Sequence, residues 1–365
     1  MTRTRTPAAA ERASLHRALG SWFRDARRDL PWRRTRDPYA IWISEVLLQQ
    51  TRVETVVPYY RRFLERFPDV TALATASEGD VLAAWSGLGY YSRARALRAA
   101  AQAVVERHAG RLPERRADWL ALPGVGPYTA GAVLSIAFGR SEPLVDGNVA
   151  RVLARLFALA APLGSAGFTR AAWALADALV PAEGAKLDPG QWNQALMELG
   201  ARVCTARAPR CLVCPLSRRC RALATGRTEE LPRPKTRRAA VAVRLEMLLA
   251  RRGERVLLVQ RPAPGRMAGL WELPTREVAN GARASGLWPP AHEPALALEP
   301  LELVGELAHA ITHHRIRAEL RHARGRARST AATRWMGGEE LAGAPLTGLT
   351  RKALALARAG PRGGA

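Results

Sequence analysis

The stretch Leu122-Pro-Gly-Val-Gly-Pro-Tyr-Thr-Ala-Gly-Ala132, followed downstream by Val145-Asp-Gly-Asn-Val149, decides how this chain is read. Gly124 and Gly126 flank Val125 between two helix-like segments, and glycine lets a tight interhelical turn aim its N–H groups outward with no Cβ in the way. Such a turn at a helix N-terminus is a seat for an anion. On its own, a Gly-x-Gly turn serves equally well as a plain connector between helices. Asp146 gives the turn more weight. It follows an apolar pair and precedes Gly147-Asn148, where an aspartate commonly caps a helix, here one expected over Asn148–Ala158. Capping and chemistry are compatible, because a cap carboxylate is also a fixed anion.

Upstream, Glu11–Asp29 reads as a helix with Leu15, Leu19, Trp22 and Phe23 at helical spacing, after a polar, basic stretch over residues 1–10 that is expected to be disordered. Leu30-Pro-Trp-Arg33 reads as a loop. Asp37-Pro38 supplies an N-cap and a first-turn proline for the helix that carries Ile41-Trp-Ile-Ser-Glu-Val-Leu-Leu-Gln-Gln-Thr51. Glu45 is the single charge in that mainly apolar run. Partial desolvation favours its protonated form and suits a general acid, whereas a glutamate facing solvent from an amphipathic helix would carry no such role. Tyr59–Thr205 reads as a succession of helices with short loops, in which Trp85, Trp119, Trp173 and Trp192 are expected in the core.

A chain of 365 residues, 48% hydrophobic, can bury more than one core, so two globular domains are expected. The net charge of +24 points to a polyanionic partner, nucleic acid first, although the near-complete use of Arg over Lys also fits GC-rich coding. No run approaches the roughly 18 apolar residues of a membrane span, and the N-terminus lacks a signal-peptide pattern. A soluble, cytoplasmic monomer with no membrane association is expected. Cys204, Cys211, Cys214 and Cys220 crowd into one short segment, and four thiolates can complete one tetrahedral set, either zinc or a cubane iron–sulfur cluster. Arg207, Arg210, Arg218 and Arg219 make the same loop basic, as a phosphate-binding loop or a merely solvated surface would be.

After a Pro-rich, basic linker over 226–239 the texture changes. Val241–Leu249, Arg255–Gln260, Leu301–Leu307 and Arg315–Leu320 are short apolar or alternating runs between turn signals, hence strands, and Thr350–Arg358 reads as a terminal helix.

Taken together, Leu30-Pro-Trp-Arg33, Asp37-Pro-Tyr39, Ser44-Glu-Val-Leu-Leu-Gln-Gln-Thr51, Gly87-Leu-Gly-Tyr-Tyr-Ser-Arg-Ala94, the glycine hairpin with Asp146, and Gln191-Trp-Asn-Gln-Ala-Leu-Met-Glu-Leu-Gly200 resemble the MutY-type adenine DNA glycosylases of the helix-hairpin-helix superfamily. The resemblance implies a mainly α glycosylase domain over 11–225 and an α+β Nudix-like domain over 240–360. It assigns the cysteine spacing to a [4Fe-4S] cluster loop over 204–220. It implies that Glu45 protonates adenine N7, that Asp146, held ionised by the helix it caps, stabilises the sugar cation, and that Tyr128 and Asn148 orient Asp146 and water. Leu30, Trp32, Arg33, Leu48, Val53 and Gln194 would line the adenine pocket. Gln50, Thr51, Leu88 and Tyr90 would contact DNA around the opposite base, and Gly124, Val125 and Gly126 a phosphate. Flat apolar groups with a few polar ones are what an extruded purine needs.

Gly269-Leu-Trp-Glu-Leu-Pro274 resembles the family's Nudix-like domain, but no catalytic Nudix box follows, so recognition rather than hydrolysis is expected there. The family's Phe-Ser-His recognition motif is Ile311-Thr312-His313 in this chain, which leaves Thr312 and His313 to read 8-oxoguanine. Lyase-competent relatives carry a lysine after the hairpin, where this chain has Pro127-Tyr128, so base excision without strand cleavage is expected on duplex DNA containing adenine opposite 8-oxoguanine or guanine. The alternatives are an endonuclease III-like enzyme acting on other damaged bases, against which Tyr128 and the added domain argue, and a non-catalytic lesion sensor, against which Glu45 and Asp146 argue.

Overall fold

A computed structural model of the chain describes residues 7–235, 239–262, 265–278 and 296–359. The chain divides into two compact units, one of Met1–Ala76 with Arg95–Thr236 and the other of Ser77–Ala94 with Arg237–Ala365.

The first unit is helical. Its centre is a pair of helices, Pro38–Leu48 and Pro127–Phe138, apolar nearly all round and therefore buried on nearly every face. Asp37 caps the first of them, its carboxylate accepting from the Tyr39 and Ala40 amides. Pro189–Arg202, capped by Asp188, packs against both Pro127–Phe138 and Gly147–Leu156. The approach is close enough at Gly200 that a Cβ would lie 2.6 Å from Asn148 Cβ, so only glycine lets that helix pass the cap of its neighbour. Trp119 and Trp192 are fully buried, whereas Trp173, expected in the core, is only half-buried. The N-terminal helix starts at Ala9, within the stretch expected to be disordered, and buried Pro7 accepts a hydrogen bond from Arg12 Nη1 at 2.9 Å. The loop expected at Leu30–Arg33 contains a short 3-10 turn over Pro31–Arg33.

In the second unit the described residues form a seven-stranded sheet: β1 (Val241–Arg252), β2 (Arg255–Gln260), β3 (Trp271–Glu272), β4 (Thr275–Glu277), β5 (Ala297–Ile311), β6 (His314–Arg326) and β7 (Thr333–Met336). The path runs β3-β2-β1-β6-β5, with β4 on β1 and β7 on β2, and only β1 and β6 pair in parallel. Alternation along β1 sends Val243, Leu245, Met247 and Leu249 into a core completed by Leu349, Ala353 and Leu354 of the Gly348–Ala359 helix. β1, β5 and β6 extend past the apolar runs that signal them, because the backbone ladder continues through exposed polar residues such as Arg251 and Arg324. Among the described residues no helix is long and apolar enough to cross a membrane.

Candidate active site

A cavity of about 170 Å³ in the helical unit brings together segments far apart in sequence. The strand-like approach at Leu30, the Pro31–Arg33 turn and the helices Pro38–Leu48, Val53–Arg66, Pro127–Phe138 and Pro189–Arg202 all contribute to it, as does the Asp146 cap. Glu45 and Asp146 both line it. So do Leu30, Trp32, Arg33, Leu48, Thr51, Val53, Tyr128, Asn148 and Gln194.

Glu45 sits in the buried Pro38–Leu48 helix and is 4% exposed. Burial pushes its carboxyl up to about 7, with the Asp146 charge adding to the shift; the Tyr128 hydroxyl and Arg33 oppose it. Tyr128 OH donates to Glu45 Oε2 at 2.5 Å and lies 3.4 Å from Met197 Sδ. Burial and the two carboxylates hold that phenol well above its ordinary range, so it remains a donor. Tyr128, expected to orient Asp146 and the water, lines the cavity with Asp146 and gives its hydrogen bond to Glu45.

Asp146 caps Gly147–Leu156, with Oδ1 accepting from Val149 N at 2.7 Å and Oδ2 from Asn148 Nδ2 at 3.0 Å. Arg151 Nη2 donates to Asn148 Oδ1 at 2.8 Å, and its Nε to the Cys204 carbonyl at 2.7 Å. The cap interactions expected to hold Asp146 as an anion are in place, and burial opposes them. Burial raises its carboxyl above the ordinary value and outweighs the Val149, Asn148 and Arg151 contributions that lower it.

Sequence reasoning missed Glu198, which lines the same cavity at 1% exposure. It accepts from Arg28 Nε and Nη2 and from Arg33 Nη2, each at 2.8 Å. Burial pushes its carboxyl up, but these two guanidiniums prevail and hold it down at about 2. A signal was available, since Glu198 lies one helical turn after Gln194 and so shares its face.

At the hairpin Gly124 takes φ +70°, and a Cβ there would come within 2.5 Å of Ala96 Cβ. Gly126 caps Pro127–Phe138 with open space around it. Gln50, at φ +60°, is exposed beyond the end of its helix and is not part of the cavity wall. In the other unit, the Gly87–Tyr90 loop leaves Tyr90 50% exposed while Leu88 is buried. Trp85 Nε1 donates to Gly89 O at 3.1 Å, and the Arg93 guanidinium lies over both the Trp85 and Tyr90 rings. Thr312 and His313 form the two-residue turn between β5 and β6. Thr312, at φ +53°, donates its hydroxyl to the Ile311 carbonyl at 2.7 Å.

The four cysteines line one small cavity together with Arg155, whose Nη1 lies 3.4 Å from Cys204 Sγ. Burial, with neighbouring thiols adding, pushes Cys214 up to about 11 and raises Cys211 and Cys220. Among the described residues no group of three or more His, Cys, Asp or Glu is arranged to hold a single metal ion. Four thiols lining one cavity are the donor set that either a zinc ion or an iron–sulfur cluster requires. Arg207, Arg210, Arg218 and Arg219 are exposed around them.

A glycine hairpin leads into a helix at Gly126, and the Asp146 cap lines one cavity with the buried acid Glu45, an arrangement that fits the helix-hairpin-helix base-excision class. Residues 43–166 match the HhH-GPD superfamily base excision DNA repair protein model, and residues 246–356 match the NUDIX domain. The chain belongs to the adenine DNA glycosylase family. It is 36% identical to the adenine DNA glycosylase of Rattus norvegicus, over 94% of this chain and 78% of that one. It is 38% identical to that of Homo sapiens, over 83% of this chain and 66% of the human protein. Among solved structures, a thermostable thymine-DNA glycosylase superposes on 59% of this chain and 97% of its own, with TM-score 0.52 and 32% identity.

Proposed function

We propose that the protein is a monofunctional adenine DNA glycosylase of base excision repair, acting as a monomer on duplex DNA with adenine opposite 8-oxoguanine or guanine. What carries this reading is the lining of a single cavity by Glu45 and Asp146, whose environments differ. Protonated Glu45 donates to adenine N7, so the glycosidic electron pair leaves with a neutral base and the sugar gains oxocarbenium character. Ionised Asp146, steadied by Asn148 and the Val149 amide, stabilises that cation or traps it covalently, as in a retaining glycosidase. Glu45, now a carboxylate, accepts a proton from the attacking water.

Tyr128 holds the Glu45 carboxyl in place. Leu30, Trp32, Leu48 and Val53 supply apolar walls, and Arg33 and Gln194 supply polar edges. The hairpin at Gly124, Val125 and Gly126 seats a phosphate; Gln50, Thr51, Leu88 and Tyr90 act at the opposite base; Thr312 and His313 read the lesion. Cys204, Cys211, Cys214 and Cys220 would hold a [4Fe-4S] cluster, which when bound braces the basic loop. Duplexes carrying adenine opposite 8-oxoguanine, adenine opposite guanine, or thymine glycol, incubated with enzyme and then treated with or without alkali, test this reading. Strand breaks only after alkali and only from the adenine duplexes are expected; breaks without alkali, or from thymine glycol, would overturn it.

A further inference from the structure

Neither the proton transfer nor the cation stabilisation employs Glu198, although it lines the reactive cavity and is almost completely buried. Both its oxygens are occupied by Arg28 and Arg33. Arg33 also donates Nη1 to the Arg28 carbonyl at 3.0 Å, and its guanidinium lies 5.4 Å from the Phe23 ring centroid. With Arg202 Nη1 3.9 Å from Glu198 Oε1, three cations and one anion are thus gathered at the cavity that holds a carboxyl that must stay protonated to act as an acid. Resting on the reading above, we propose that Glu198 is a positioning residue that sets the protonation of Glu45 by cancelling the charge of the arginines beside it.

A nearby cation favours the ionised form of a carboxyl, and Arg33 already acts on Glu45 in that sense. The other groups facing Glu45 are Tyr128 from Pro127–Phe138, whose hydrogen bond favours the carboxylate, and Asp146 from its cap, which opposes it. Arg28, Glu198 and the more exposed Arg202 complete the ion cluster through Arg33, and Glu54 acts on Arg28. The contest between Asp146 and Arg33 therefore depends on how much of the arginine charge Glu198 neutralises. Glu198 keeps its own charge throughout the working range, because the guanidiniums hold its carboxyl at about 2.

The test is the pH profile of single-turnover adenine release for the wild type, Glu198→Gln and Arg28→Gln. Glu198→Gln is expected to move the alkaline limb down by about one unit, with release about tenfold slower above the limb and little changed below it. Arg28→Gln removes a cation and is expected to move the limb the other way, while Glu198→Asp keeps the wild-type limb. A cluster that only braces the fold would lower the rate in both variants at every pH and leave the limb in place, which would overturn the proposal. If Glu198→Gln does not fold, Arg28→Gln, at a side chain 31% exposed and with Arg33 still bound to Glu198, decides alone; an unmoved or lowered limb rejects the idea. A wild-type profile with no alkaline limb would instead fault the acid role of Glu45 itself.

Discussion

Replacing Glu45 by glutamine is expected to stabilise the helical unit at alkaline pH and to leave its stability unchanged at acid pH. The carboxyl titrates at about 7 in the folded protein against an ordinary 4.5. Each unit corresponds to about 1.36 kcal/mol, so ionising this buried group costs the fold roughly 3 kcal/mol relative to the unfolded chain. Because the folded value lies above the unfolded one, the associated stability is complete below about pH 4.5. It is lost as the pH rises to about 7 and stays lost beyond. Glutamine keeps the shape and an acceptor for Tyr128 but never ionises. The variant should match the wild type near pH 4.5 and exceed it by roughly 3 kcal/mol near pH 8. For a unit of this size that is about 6–12 °C in melting temperature. Thermal melts of both proteins by far-ultraviolet circular dichroism across this range provide the assay, and the difference between them cancels every group they share. A difference that does not change with pH, or a variant less stable under alkali, would refute the reasoning.

Gly124→Ala is expected to destabilise the protein by roughly 2–4 kcal/mol, because the residue needs positive φ and its Cβ would meet Ala96; urea titration reads the loss. Gly126→Ala has open space, so it should fold normally yet bind duplex DNA more weakly in fluorescence anisotropy if the hairpin seats a phosphate there. Tyr128→Phe removes the hydrogen bond that lowers the Glu45 carboxyl, so the alkaline limb of adenine release should move to higher pH. Cys204→Ser should reduce iron content and visible absorption together, whereas a zinc site would contain no iron in either protein.

Much of the site was legible in the sequence because its parts are local. A lone charge in an apolar helix marked Glu45, a glycine pair marked the hairpin, and an Asp before Gly-Asn marked a cap; each depends on only a few adjacent residues. What escaped depends on packing. The partner of Tyr128 is chosen by the crossing of Pro38–Leu48 and Pro127–Phe138, and the raised carboxyl of Asp146 by burial that no cap motif encodes. Glu198 escaped because one acidic residue in a helix looks ordinary until two arginines, more than 160 positions earlier, close on it. Strand ends ran past their apolar runs because a ladder needs only backbone groups.

The most direct test of the central claim, that an acid and an anion from distant segments serve one extruded purine nucleoside, is single-turnover adenine release by Glu45→Gln and Asp146→Asn. Binding to the same duplex with adenine opposite 8-oxoguanine is measured in parallel. Both variants are expected to bind as the wild type does and to release no adenine. Wild-type release by either one, with binding intact, would contradict the account.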